Sequence, residues 1–165
     1  MRCIYYTGSL QELMATPLPP KYIQKRLPFR PTLSEVQKVY RTINRNIFDN
    51  QLVMPEIIIK PRCRKYWGMC CGKYELQYTG SWSYIILMDK WFCIQWMIDT
   101  LAHEMCHQYQ WDIDGIKREK EGKNRLMSHG VSFFQFRDRL AEHDISLKIA
   151  HGKKRWFKHQ DLFRC

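Results

Sequence analysis

No stretch of about 18 consecutive apolar residues occurs in the 165-residue chain, so no segment is expected to cross a membrane as a helix. Positions 1–10 carry one arginine and no apolar core ending in small residues. A secretory leader is therefore not expected, and the protein is expected inside the cell, cytoplasmic or nuclear. The seven cysteines, Cys3, Cys63, Cys70, Cys71, Cys93, Cys106 and Cys165, contain no CxxC pair, which leaves a cysteine zinc site without support. Their odd number in a chain without a leader speaks against a disulfide framework, and reduced, mostly buried thiols are expected. Internal repeats and low-complexity tracts are also missing. Acid is the scarce charge: 16 Asp and Glu stand against 27 Lys and Arg, giving a net charge of +11.

Against these absences stand 45% hydrophobic residues, 14% of all residues being aromatic. That is enough for one packed core and short for two, so a single domain over 32–150 is expected. An arm over 1–31, punctuated by Pro17, Pro19, Pro20, Pro28 and Pro31, precedes it, and a basic aromatic tail over 151–165 follows.

Periodicity supplies the elements. A helix is expected over 33–48, with Thr32 and Glu35 as a capping box and Val36, Val39, Tyr40, Ile43 and Ile47 on one face. Strand character follows at 52–54, 56–60 and 84–88, and less clearly at 66–74, where Gly68 and Gly72 interrupt. A second helix is expected over 91–111, with Ile94, Met97, Ile98, Leu101 and Met105 as its apolar stripe. A third begins near 128–132 and runs to about Glu142, and 145–149 reads as a last short strand. This order implies an α+β fold, a small, mainly antiparallel sheet packed with three helices.

Inside the second helix lies His103-Glu104-Met105-Cys106-His107. Residues four apart share a helical face, so two imidazoles can hold one divalent ion. Glu104 beside them can then take a proton from a water that the ion activates. With six histidines in the chain, only about 0.01 accidental occurrences of this pattern are expected. A catalytic zinc needs a third protein ligand, and His129, His143, His151 and His159 are the histidine candidates. His129 stands at the threshold of a helix beside Gly130, which would ease a close approach. His143 reads more simply as a surface residue, Cys106 as packing, and Tyr109 and His143 as conceivable oxyanion donors.

The run LAHEMCHQ at 101–108 and SHGVSF at 128–133, with Ile43-Asn44 and Phe48 upstream and Met69-Cys70-Cys71-Gly72 before 84–88, resembles the SprT-like (Spartan) metalloprotease domain. The resemblance covers roughly 32–150. It implies a zincin-like arrangement with HExxH on the central helix, one Zn2+ held by His103, His107 and His129, and Glu104 as the catalytic base. It also implies a peptidase acting on proteins bound or crosslinked to DNA; a monomer is expected. Phe133 fits the family's aromatic position, and Ser132 departs from the acidic residue that many members carry before it.

Three basic stretches are candidates for the nucleic-acid surface: Lys21, Lys25, Arg26 and Arg30; Lys60, Arg62, Arg64 and Lys65 before Tyr66 and Trp67; and Lys153, Lys154, Arg155 and Lys158 around Trp156 and Phe157. Cations beside aromatic rings suit single-stranded DNA, whose bases stack while its phosphates pair. A solvated basic face with half-buried rings is the plainer alternative. The rival for the whole chain is a nucleic-acid-binding protein with a non-catalytic zinc site, or a hydrolase of other amides.

Overall fold

The computed structural model describes residues 29–61, 66–73, 75–91, 93–115 and 129–148. Along the chain these form α1 (Leu33–Ile47), β1 (Glu56–Lys60), β2 (Gly68–Gly72), β3 (Ser83–Met88), α2 (Ile94–Asp112), α3 (Val131–Phe134) and α4 (Arg137–Ala141). The fold is α+β, as the order of elements implied.

α1 starts where its capping box stands. The Glu35 amide donates to Thr32 Oγ1, and the Thr32 amide donates to the Glu35 carboxylate at 2.7 Å, satisfying donors that a helix start leaves bare. Its buried face holds Val36, Val39, Tyr40, Ile43 and Ile47. Asp49 and Asn50 then take positive φ and turn the chain away. The expected strand at 52–54 does not form. Its backbone pairs with a side chain instead: Asn44 Nδ2 donates to the Leu52 carbonyl at 2.8 Å, and the Leu52 amide donates back to Asn44 Oδ1 at 3.2 Å.

The sheet has three strands in the order β1-β3-β2. β2 and β3 are antiparallel, whereas β1 runs parallel to β3, with Ile57 opposite Ile85. The expectation of a mainly antiparallel sheet is corrected here, because β2 is laid down on the far side of β3 rather than between β1 and β3. The third expected helix is broken into α3 and α4 around Gln135 and Phe136. Of the last expected strand, 145–149, the described residues 145–148 form no strand: they run beside α2, where side chains of that helix hold the backbone. The Ser146 amide donates to Asp99 Oδ1 at 3.1 Å, and Gln95 Nε2 donates to the Asp144 carbonyl at 2.9 Å. Among the described residues, contacts of the domain reach back past Thr32 to Phe29, which pairs through its backbone with Trp91.

The core lies between the sheet, α1 and α2, and it contains Trp67, which packs on Trp91 and Trp96 with ring centres 5.3 and 6.2 Å away. Cys93, immediately before α2, is in a disulfide, against the expectation of seven reduced thiols; its partner lies outside the described residues. Cys70, Cys71 and Cys106 are not in disulfides. No helix among the described residues is long and apolar enough to cross a membrane.

Candidate metal centre

α2 is buried along most of its length because the sheet covers one side and α1 and the 145–148 segment cover others. Within it, Leu101, Ala102, Met105 and Cys106 are wholly buried, while His103, Glu104 and His107 keep 6–7% of their surface exposed. Burial pushes the Cys106 thiol well above the ordinary range, and the nearby Glu104 charge adds to it. Cys106 is therefore a packed neutral thiol rather than a redox group.

The three expected donors converge. His103 Nε2 lies 3.2 Å from His107 Nε2 and 3.4 Å from His129 Nε2. The ligand atoms of all three lie within 4.8 Å of one another. Metal–nitrogen bonds of about 2.0–2.1 Å in a tetrahedron put donor atoms roughly 3.3 Å apart, so the 3.2 and 3.4 Å separations match ligands around a shared ion. With Nδ1 of both rings directed at acceptors, the facing Nε2 atoms of His103 and His107 turn two lone pairs toward each other, which costs free energy unless a metal ion or a proton lies between them. The residues present thus fit a divalent metal, and an all-imidazole set suits zinc, copper, nickel or iron.

Around the donors, a few contacts fix orientation. His103 Nδ1 lies 2.9 Å from the Lys148 carbonyl, and His107 Nδ1 lies 2.9 Å from Gln110 Oε1. Both partners accept, so each ring carries its proton on Nδ1 and leaves Nε2 bare for a metal. Phe133, fully buried, backs all three rings, its centre 4.8, 4.6 and 4.7 Å from those of His103, His107 and His129. Gly130 caps α3, and its carbonyl accepts the amides of Phe133 and Phe134, which seats His129 over α2.

Glu104 is held from the sheet side. The Cys70 amide of β2 donates to Glu104 Oε2 at 2.6 Å. β2 comes this close because Gly68 has no side chain: a Cβ there would stand 2.7 Å from Thr100 Cγ2 and 3.1 Å from Glu104 Oε1. What read as an interruption of a strand is the condition for its approach to the motif.

A buried polar network fixes the other end of α2. Asp112 accepts from Ser81 Oγ at 2.7 Å, from the Trp82 amide at 2.9 Å and from Gln108 Nε2 at 2.9 Å. The Tyr40 hydroxyl of α1 donates to Gln108 Oε1 at 2.8 Å, and burial raises its pKa far above that of a free tyrosine.

Several expected site residues lie elsewhere. Trp67 is a core residue, so its ring is not a surface on which a base can stack; the aromatic-plus-cation pattern cannot tell a buried ring from an exposed one. Arg62, Arg64, Lys65, Lys153, Lys154, Arg155 and Trp156 lie outside the described residues, as do His151 and His159. Arg30 is paired with Asp89 at 2.6 Å. Tyr109 packs on Phe48 and Phe136 and points its hydroxyl toward Gln51, and His143 is exposed beyond α4. Gln110, Asp99 and the Lys148 carbonyl were not singled out by the sequence; only the placement of Gln110 one turn after His107 hinted at a role. No protein-family model matches the chain, and no curated protein matches it.

Proposed function

We propose that this chain is a zinc-dependent endopeptidase of the SprT-like kind, acting on proteins bound or crosslinked to DNA. The observation that carries the reading is the spacing of the three Nε2 atoms, 3.2 and 3.4 Å from His103, beside a carboxylate anchored to a strand backbone. Zinc held there supplies Lewis acidity toward a water and toward the scissile carbonyl.

The protein's own groups do the rest. Glu104 takes a proton from the water as the C–O bond forms, and hands that proton to the amide nitrogen, whereupon the C–N bond breaks and the amine departs. The Cys70 amide keeps the carboxylate from turning away. His103 and His107 keep their Nε2 lone pairs inward because their Nδ1 protons are occupied. A purely structural zinc site would be closed by a fourth protein ligand and would have no use for a positioned carboxylate. Among the described residues, the cluster has three donors. The charge of +11 favours a polyanionic setting, and single-stranded DNA is the partner proposed for it.

The test is cleavage of a DNA-bound protein by wild type and Glu104→Gln, with and without single-stranded DNA, the metal content of both being measured. Wild-type cleavage, lost in Glu104→Gln at an unchanged one zinc per chain, supports the reading. Zinc in both proteins with cleavage in neither, DNA present or absent, would favour a non-catalytic zinc site.

A further inference from the structure

We infer that Gln110 is a positioning residue that sets the tautomer of His107 and couples it to the turn carrying His129; this rests on the metal-centre reading above. Gln110 lies on α2 one turn beyond His107 and is fully buried. Both ends of its amide are engaged with the site. Oε1 is 2.9 Å from His107 Nδ1, and Nε2 donates to Ser132 Oγ at 2.8 Å.

A neutral imidazole has one proton for two nitrogens. A ring that ligates through Nε2 must carry that proton on Nδ1 and needs an acceptor there. The amide oxygen of Gln110 is such an acceptor. With its NH2 end turned to His107, Nδ1 would have to accept and Nε2 would hold the proton, so the ring could not ligate. The tautomer of His107 and the direction of the Gln110 amide are therefore one linked choice.

The other end of the amide extends the linkage across the fold. Ser132 sits in the first turn of α3, two residues after the Gly130 whose carbonyl begins that helix, and His129 precedes both. The Ser132 carbonyl is itself held by Gln135 Nε2 at 2.6 Å. One buried side chain thus joins the helix that supplies two donors to the turn that supplies the third. A carboxylate in its place would also accept from Nδ1, yet would add an anion to a buried pocket that already holds Glu104.

The test uses the full chain with Gln110→Leu, Gln110→Glu and Ser132→Ala. In metal-free wild type, a long-range proton–nitrogen NMR spectrum should show His107 as the Nδ1–H tautomer. Gln110→Leu should move it toward Nε2–H and weaken zinc binding by roughly 10–100-fold in a chelator competition. Gln110→Glu should restore Nδ1–H and most of the affinity, which a merely structural role would not predict. Ser132→Ala should weaken binding less, and adding it to Gln110→Leu should cost little more. If Gln110→Leu does not fold, Gln110→Met removes the acceptor while keeping the chain length. Wild-type tautomer and affinity in a folded Gln110→Leu or Gln110→Met protein would overturn the inference, as would equal losses in Gln110→Leu and Gln110→Glu. Zinc binding absent from the wild type would sink the metal-centre reading alone, since the metal-free spectrum still reads the tautomer.

Discussion

Gly72 of β2 and Trp111 of α2 compete for one volume: a Cβ on residue 72 would stand 1.9 Å from Trp111 Cε2. The strand lies under the helix at a distance that only an absent side chain permits. Gly68, two pleats earlier on the same face, repeats the arrangement beneath Thr100 and Glu104. The two glycines therefore set how near the sheet comes to the helix that carries the motif.

Gly72→Ala should destabilise the fold by about 1–3 kcal/mol, the range for forcing extra atoms into packed space. Urea unfolding measures it. Combining Gly72→Ala with Trp111→Leu should cost less than the sum of the two changes, because the second makes room for the first. Additive losses would show that the contact is not what the glycine serves.

Gly68→Ala should act on chemistry more than on metal. Its Cβ would press on the Thr100 methyl and the Glu104 carboxylate, so the base shifts while the imidazoles, on the far side of that turn, keep their places. The expected result is one zinc per chain with turnover reduced roughly tenfold or more, as small displacements of reacting groups do. Zinc content and kcat measured on the same sample decide it.

Burial raises the Asp99 carboxyl from 3.8 to about 6, against hydrogen bonds from Gln95 and the Ser146 amide and the charge of Lys148, which lower it. A folded value above the unfolded one means that this contribution to stability is full below about pH 4 and is lost as pH rises through about 6. Both neighbours donate to Oδ1, an atom asparagine retains. Asp99→Asn should therefore match wild type in acid and exceed it above pH 6, by on the order of 3 kcal/mol. Unfolding free energies across that window test the sign. A gap that does not change with pH would contradict it.

Phe133→Ala should cost about 3–5 kcal/mol, the usual price of removing a buried phenylalanine, and should also loosen the three imidazoles it backs. The paired observation is a fall in thermal midpoint together with weaker zinc retention. Adding excess zinc should recover part of the midpoint, since a ligand of the folded state stabilises it by mass action.

How much of this was legible beforehand depended on whether a side chain or the backbone did the work. The HExxH pair was readable because i and i+4 share a helical face, and the α1 cap because Thr32 and Glu35 are the residue types that bond each other. His129 was readable as a candidate through the adjoining glycine, but its meeting with α2 is a tertiary fact. The parallel pairing of β1 with β3 was not, since strand patterns carry no direction. The 145–148 segment looked like a strand because its apolar alternation is real, with Ile145 and Leu147 buried. Its backbone partners are the side chains of α2, which periodicity does not reveal.

The Cys70 amide that holds Glu104 has a further consequence for how the protein tolerates change. An N–H belongs to every residue but proline, so any of the other substitutions at position 70 leaves that grip intact. The Lys148 carbonyl on His103 is safer still, because every residue supplies one. Of these anchors, the one on His107 is written in a side chain and can be erased by a single codon. Random mutagenesis scored for metal retention should thus find position 110 intolerant of residues that lack an acceptor for His107 Nδ1, while at position 70 proline alone removes the grip on Glu104.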